Sequence, residues 1–118
     1  MDTPRFYRWG DVVRENVTEM LSRRVVTGER EMVAQISMKK GCYVPSHQHE
    51  SEQMTYVLRG ALKFCIGGKD ITVREDELLH IPSGVPHDAL ALEDTFELDV
   101  FSPVRQDWID HTDDYFRR

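Results

Sequence analysis

The stretch Gly41-Cys-Tyr-Val-Pro-Ser-His47-Gln-His49-Glu-Ser-Glu-Gln53-Met-Thr-Tyr-Val-Leu-Arg-Gly60 decides the fold. It has the form of a strand, a short excursion and a second strand. Pro45 fixes the backbone just ahead of the histidines and disfavours a helix there. His47 and His49 are two residues apart, and alternation along a strand sends such a pair to one face. Two neutral imidazoles on one face can share a zinc, copper, iron or nickel ion. Two surface histidines on an edge strand would show the same spacing, so the pair alone does not decide. Gln53 follows, and its amide oxygen can serve as a third ligand if the Glu50–Glu52 segment turns back on itself.

Further along stands Pro82-Ser-Gly84-Val-Pro86-His87. Two prolines and a glycine mark a turn that delivers another histidine. Three histidines with an amide or carboxylate oxygen suit a divalent transition metal.

Together, Gly41-x5-His47-x-His49-x3-Gln53-x6-Gly60 and Pro82-x-Gly84-x2-His87 resemble the two motifs of the cupin superfamily. The resemblance implies an all-β fold, the cupin double-stranded β-helix or jelly-roll barrel, with a metal held inside. It implies a single domain over residues 1–118, with a core at about 20–103 and N- and C-terminal extensions packed on the barrel or on a partner subunit. Three positions depart from the family pattern. Gln53 stands where Glu is usual, Asp76 where a glycine opens the second motif, and Ala91 where an Asn follows the last histidine. A neutral oxygen at Gln53 leaves the site more positive, weakens metal binding and removes a candidate base. Asp76 is a mild change, because Asp tolerates left-handed backbone better than most residues.

A narrower resemblance lies in Tyr56-Val-Leu-Arg-Gly60, in Pro82 to His87, and in Leu98-Asp-Val-Phe-Ser-Pro-Val-Arg-Gln-Asp107. These are similar to the pectin- and alginate-degradation cupins that open 4,5-unsaturated monouronates to linear keto-uronates. That group's ligand set falls on His47, His49, Gln53 and His87, although its gap between the second histidine and the glutamine is one residue longer. Its catalytic Asp, Phe and Arg fall on Asp99, Phe101 and Arg105. The resemblance thus implies a nickel, zinc, manganese or iron cofactor and an unsaturated uronate as substrate. Asp99 is then the general acid/base, Arg105 the partner of the substrate carboxylate, and Phe101 an apolar wall under the sugar ring. Two other readings compete. One is a cupin dioxygenase of an aromatic compound, against which Gln53 and Arg105 count. The other is a cupin that binds a sugar or metabolite without turnover.

The rest of the chain keeps a strand rhythm. Met32-Val-Ala-Gln-Ile-Ser-Met38 alternates, with Met32, Ala34, Ile36 and Met38 on one face. Gly67-Gly68 signals a hairpin between Ala61–Ile66 and Ile71–Val73. Short strands with turn signals at this spacing argue for a sandwich or barrel. In Phe96-Glu-Leu-Asp-Val-Phe101 the pattern alone turns Phe96, Leu98 and Val100 inward and leaves Glu97 and Asp99 solvated; the resemblance reverses the faces. Tyr56, Met54 and Phe64 are expected as core or cavity lining, and His80 at the surface. Phe6, Tyr7 and Trp9 are expected to pack across the barrel or onto a second subunit. The acidic tail from Pro103 to Arg118, which holds His111 in a local ion pair, is expected to form a turn of helix or an irregular segment closing one end.

With 118 residues and a net charge of −6, the chain is one domain for which nucleic acid is not a general partner. An acidic substrate remains compatible, because a metal and a few arginines can dominate a cavity locally. No apolar run is long enough to span a membrane, and no basic start followed by an apolar segment is present, so neither a membrane partner nor export is expected. Cys42 and Cys65 are therefore read as reduced thiols in a cytoplasm, Cys65 as a small apolar strand residue. Short open sheets need covered edges, which predicts a homodimer.

Overall fold

The computed structural model describes residues 3–117, the side chain of 117 excepted. Ten strands form two antiparallel sheets: β1 Glu15–Asn16, β2 Leu21–Thr27, β3 Met32–Met38, β4 Tyr43–His47, β5 Glu52–Arg59, β6 Ala61–Ile66, β7 Lys69–Arg74, β8 Leu78–Ile81, β9 His87–Ala91 and β10 Thr95–Ser102. The larger sheet has the order β1-β2-β3-β10-β5-β8 and the smaller β4-β9-β6-β7. Strands distant in sequence thus lie side by side, which is the jelly-roll arrangement. A short helix, α1 Gln106–Ile109, and 3₁₀ turns at Trp9–Asp11 and Tyr115–Arg117 complete the elements of the described residues. Among the described residues no helix is long and apolar enough to cross a membrane.

The core fills the space between the sheets. From β3 come Met32, Ala34, Ile36 and Met38, all buried, as the alternation predicts. The smaller sheet supplies Val44, Leu62, Phe64, Val73 and Ala91. The hairpin at Gly67-Gly68 is tight: Ile66 pairs with Lys69, so the returning strand begins earlier than its β-rich residues suggest. Gly60 sits between β5 and β6 at φ +96°, and a Cβ there would come within 2.5 Å of the Asp94 carbonyl oxygen. Only glycine fits that crossing. Asp76 is left-handed at φ 67°, as its type allows, and the Tyr56 hydroxyl donates to its Oδ1 at 2.6 Å.

Several expectations are corrected. Met54 is 44% exposed and Tyr56 points its hydroxyl to the surface, because the inward set on β5 is Gln53, Thr55 and Val57. Cys65 is exposed, on the outer face of β6, whereas Cys42 is buried; both are free thiols. Phe6 is 84% exposed and Tyr7 49% exposed, so neither is buried in this barrel. On β10 the reading from pattern alone is reversed: Glu97, Asp99 and Phe101 are buried, and Val100 is 39% exposed. The interior beside this strand is polar, so the apolar set is the outer one.

The tail is tied down by a buried cation. Arg23 on β2 bonds Asp113 Oδ2 through Nη1 at 2.7 Å and Glu15 Oε1 through Nε at 2.9 Å. Its guanidinium lies 4.2 Å from the Trp108 ring centroid. These contacts hold α1 and the closing 3₁₀ turn over one end of the barrel, as β4 packs beside them.

Candidate metal centre

Three histidines converge inside that end. The side-chain nitrogens of His47, His49 and His87 that face one another lie within 4.8 Å. His47 closes β4 and His87 opens β9, and the two are direct partners across the ladder. Strand alternation does not place His49, since β4 ends at His47. A loop contact does: the Gly84 amide donates to the His49 carbonyl at 2.8 Å, locking the turn before β9 onto the excursion after β4.

Each imidazole is oriented by a backbone carbonyl. His47 Nδ1 meets Pro45 O at 2.8 Å, His49 Nδ1 meets Ser51 O at 2.8 Å and His87 Nδ1 meets Val85 O at 2.9 Å. A carbonyl only accepts, so each Nδ1 carries the proton and each Nε2 keeps its lone pair. This is the outer hydrogen bonding that fixes metal-ligating histidines. His87 Nε2 is buried with no hydrogen-bond partner, a cost unless a Lewis acid satisfies it. Burial, aided by the neighbouring His87 and Arg105, lowers His47 to about 3. Burial and Arg105 lower His49 to about 4, and burial lowers His87 as well. All three are neutral near neutral pH, the form that binds metal.

Gln53, on β5 of the other sheet, places Oε1 3.0 Å from His49 Nε2. With Nδ1 donating to Ser51, a neutral His49 offers Nε2 only as an acceptor, so two acceptors face each other. A cation between them removes the conflict. The amide's orientation is fixed from behind, because Gln53 Nε2 donates to Thr55 Oγ1 at 2.9 Å. Thr55 in turn donates to Asp99 Oδ1 at 2.7 Å. Three histidines and an amide oxygen thus form a donor set that fits a divalent metal.

Asp99 and Phe101 line the same cavity as His47, Gln53 and His87. Burial raises Asp99, which hydrogen bonds from Thr55 and Glu97 partly oppose. Burial, then the Asp99 charge, pushes Glu97 well above the usual carboxylate range. The two acids therefore share protons at pH values where a surface pair would be fully ionised. Arg105 is buried; Asp107 accepts from its Nε at 3.0 Å and from its Nη2 at 2.8 Å. Its guanidinium lies 5.1 Å from the Phe101 centroid. The Tyr115 ring stacks on His47 with centroids 4.0 Å apart. The free space among these groups is about 40 Å³. A larger groove of about 750 Å³ runs over the barrel's end at Arg14, Arg59 and Phe96, away from every histidine.

Six of the seven residues named from sequence line one cavity, and His49 stands beside it, against His87 and Phe101. His80 lies outside it, paired with Glu52, and His111 pairs with Glu15 at 3.7 Å. Thr55, Glu97 and Tyr115 escaped the sequence reading. Thr55 was signalled by its parity with Gln53 on one strand; Tyr115 carries no local signal at all.

Comparison with known proteins agrees with this architecture. No curated protein sequence matches the chain. Among solved structures, KdgF from Halomonas sp. superposes with a TM-score of 0.83 at 27% identity, over 90% of this chain and 99% of that one. An RmlC-like cupin from Shewanella frigidimarina superposes at 0.82 with 23% identity, over 90% of this chain and 96% of that one, a likeness of fold. A mutant of the Bacillus subtilis oxalate decarboxylase OxdC superposes at 0.73 with 25% identity, over 82% of this chain and 29% of that larger one. The cupin domain family matches residues 34–102, most of the barrel and every histidine of the centre, and on that match the chain belongs to the cupins.

Proposed function

We propose that the chain is a metal-dependent enzyme that opens 4,5-unsaturated monouronates to linear keto-uronates. The observation that carries this reading is the company Asp99 keeps. A buried carboxyl with a raised pKa, a buried arginine and an apolar ring share one small cavity with His47 and His87, and His49 stands beside it. The likeness to KdgF supports the resemblance to the uronate-opening cupins seen in the Tyr56–Gly60 and Leu98–Asp107 segments.

The reaction is an isomerisation and needs no co-reactant. The anomeric hydroxyl loses a proton as the ring C–O bond breaks, and C4 gains a proton as the oxygen on C5 becomes a ketone. His47, His49, Gln53 and His87 hold the ion, which supplies Lewis acidity and a template for the substrate's oxygens. Asp99 moves the proton: burial raises its pKa above the ordinary carboxylate value, which makes it a better proton holder than a surface carboxylate. Thr55 fixes the carboxyl's orientation by donating to Oδ1. Arg105 Nη1 is the guanidinium nitrogen left for the substrate carboxylate, since Asp107 and Tyr115 engage the other two. Phe101 walls the sugar ring and keeps water from the enol.

The test mixes metal-loaded protein with a 4,5-unsaturated monouronate and follows the ultraviolet absorbance of the C4–C5 double bond. Absorbance falls faster than the spontaneous rate. Asp99→Ala slows turnover about 10³-fold while keeping its metal. Full activity in Asp99→Ala would sink the assignment, and absence of turnover by metal-loaded wild type would move it to another cupin chemistry.

A further inference from the structure

Tyr115 lies in the tail, outside both cupin motifs, yet its side chain is buried against the metal centre. Its hydroxyl oxygen accepts from Arg105 Nη2 at 2.7 Å and from Trp108 Nε1 at 3.1 Å. A guanidinium and an indole N–H only donate. Neither can take the phenol's own hydrogen, which is therefore left over. Two donors pulling on the oxygen, one of them cationic, polarise that hydrogen and make it a stronger donor. The ring is stacked on His47 with an interplanar angle of 14°, so the hydroxyl is held rigidly beside the centre. The cavity it lines has about 40 Å³ free, so a molecule seated beside the histidines lies against its walls, Tyr115 among them.

We propose that Tyr115 is a ligand-contacting residue of the metal centre: its hydroxyl, fixed by Arg105 and Trp108, donates its hydrogen to an oxygen of the oxyanion bound beside the three histidines. The inference rests on the reading above in placing a carboxylated ligand in this cavity. It extends the site beyond the barrel to the tail, and it gives that tail a chemical task besides closing one end. For a uronate, the oxygen nearest this donor belongs to the carboxylate that Arg105 faces, so the pair reads the anion from two sides.

The experiment uses acetate, a minimal carboxylate, titrated into the nickel-loaded full chain by calorimetry. Tyr115→Phe keeps its nickel affinity but binds acetate about tenfold more weakly, the loss of one hydrogen bond to a charged group. A fluorotyrosine placed at 115 in otherwise unaltered protein gives a fluorine NMR signal that moves on acetate addition, which covers the case in which Tyr115→Phe folds poorly. Turnover of the unsaturated monouronate by Tyr115→Phe falls by a similar factor in kcat/KM. Equal acetate affinity in the two proteins, no acetate binding by either, or a fluorine signal that stays in place overturns the proposal. If the acetate difference holds but wild type does not turn over the uronate, the uronate reading falls and the role of Tyr115 stands.

Discussion

β3 and β10 run side by side in one sheet and present opposite interiors. Ala34 pairs with Asp99, Ile36 with Glu97 and Met32 with Phe101. Each of these side chains is buried. On β3 the inward set is wholly apolar and follows ordinary alternation. On β10 it is a threonine, two acids and a ring, and alternation read in the ordinary way points outward. Adjacent strands thus obey the same geometry and opposite chemistry. One serves a packed core, the other a cavity in which carboxyls are kept from water. Burial there costs stability that β3 and its neighbours offset, the usual division between a scaffold and a site.

The sharpest way to break this comparison is to damage the scaffold side. Met32 is fully buried, and Met32→Ala destabilises the protein by about 3 kcal/mol in denaturant unfolding, through lost transfer energy and a cavity. On the site side the same experiment changes sign. Glu97 has a raised pKa because burial and Asp99 disfavour its charge. Its contribution is present below the unfolded value and lost as pH rises through the folded one, since the folded state then holds the extra proton. Glu97→Gln, which keeps the shape and removes the titration, therefore gains stability over wild type as pH rises above the ordinary carboxylate range, by at most about 1.4 kcal/mol per unit. A constant difference above that range would mean that Glu97 is solvated. The smallest effect belongs to the outer face of the same strand. Val100 is 39% exposed, and Val100→Thr shifts the thermal midpoint by the equivalent of less than about 0.5 kcal/mol.

The same contrast explains how far the sequence could be read. Ligand spacing and turn residues are local, so His47, His49, His87 and the Gly67-Gly68 hairpin stood out without a structure. The faces of β3 were legible because a packed core rewards plain alternation. The faces of β10 were not, because periodicity states which residues share a face and leaves open which face is wet. Resemblance, not pattern, turned Asp99 inward. The tail was least legible. Arg23 and Asp113 are 90 residues apart, and no spacing rule links them. Tyr115 reads as one aromatic among several until the fold brings it over His47. Arg23 and Arg24 are adjacent on β2 and so face opposite ways, but nothing local says which of the two is buried, or that Asp113, Glu15 and the Trp108 ring receive it.

One further consequence follows from where the donors originate. His47 and His87 belong to the smaller sheet and Gln53 to the larger, so the centre bridges the seam between the two layers. An ion gripped there from both sides would act as a rivet. The seam would then not part without first breaking coordination, so such an ion would raise the barrier to unfolding as well as the equilibrium stability. The lifetime of the folded state would then track metal supply.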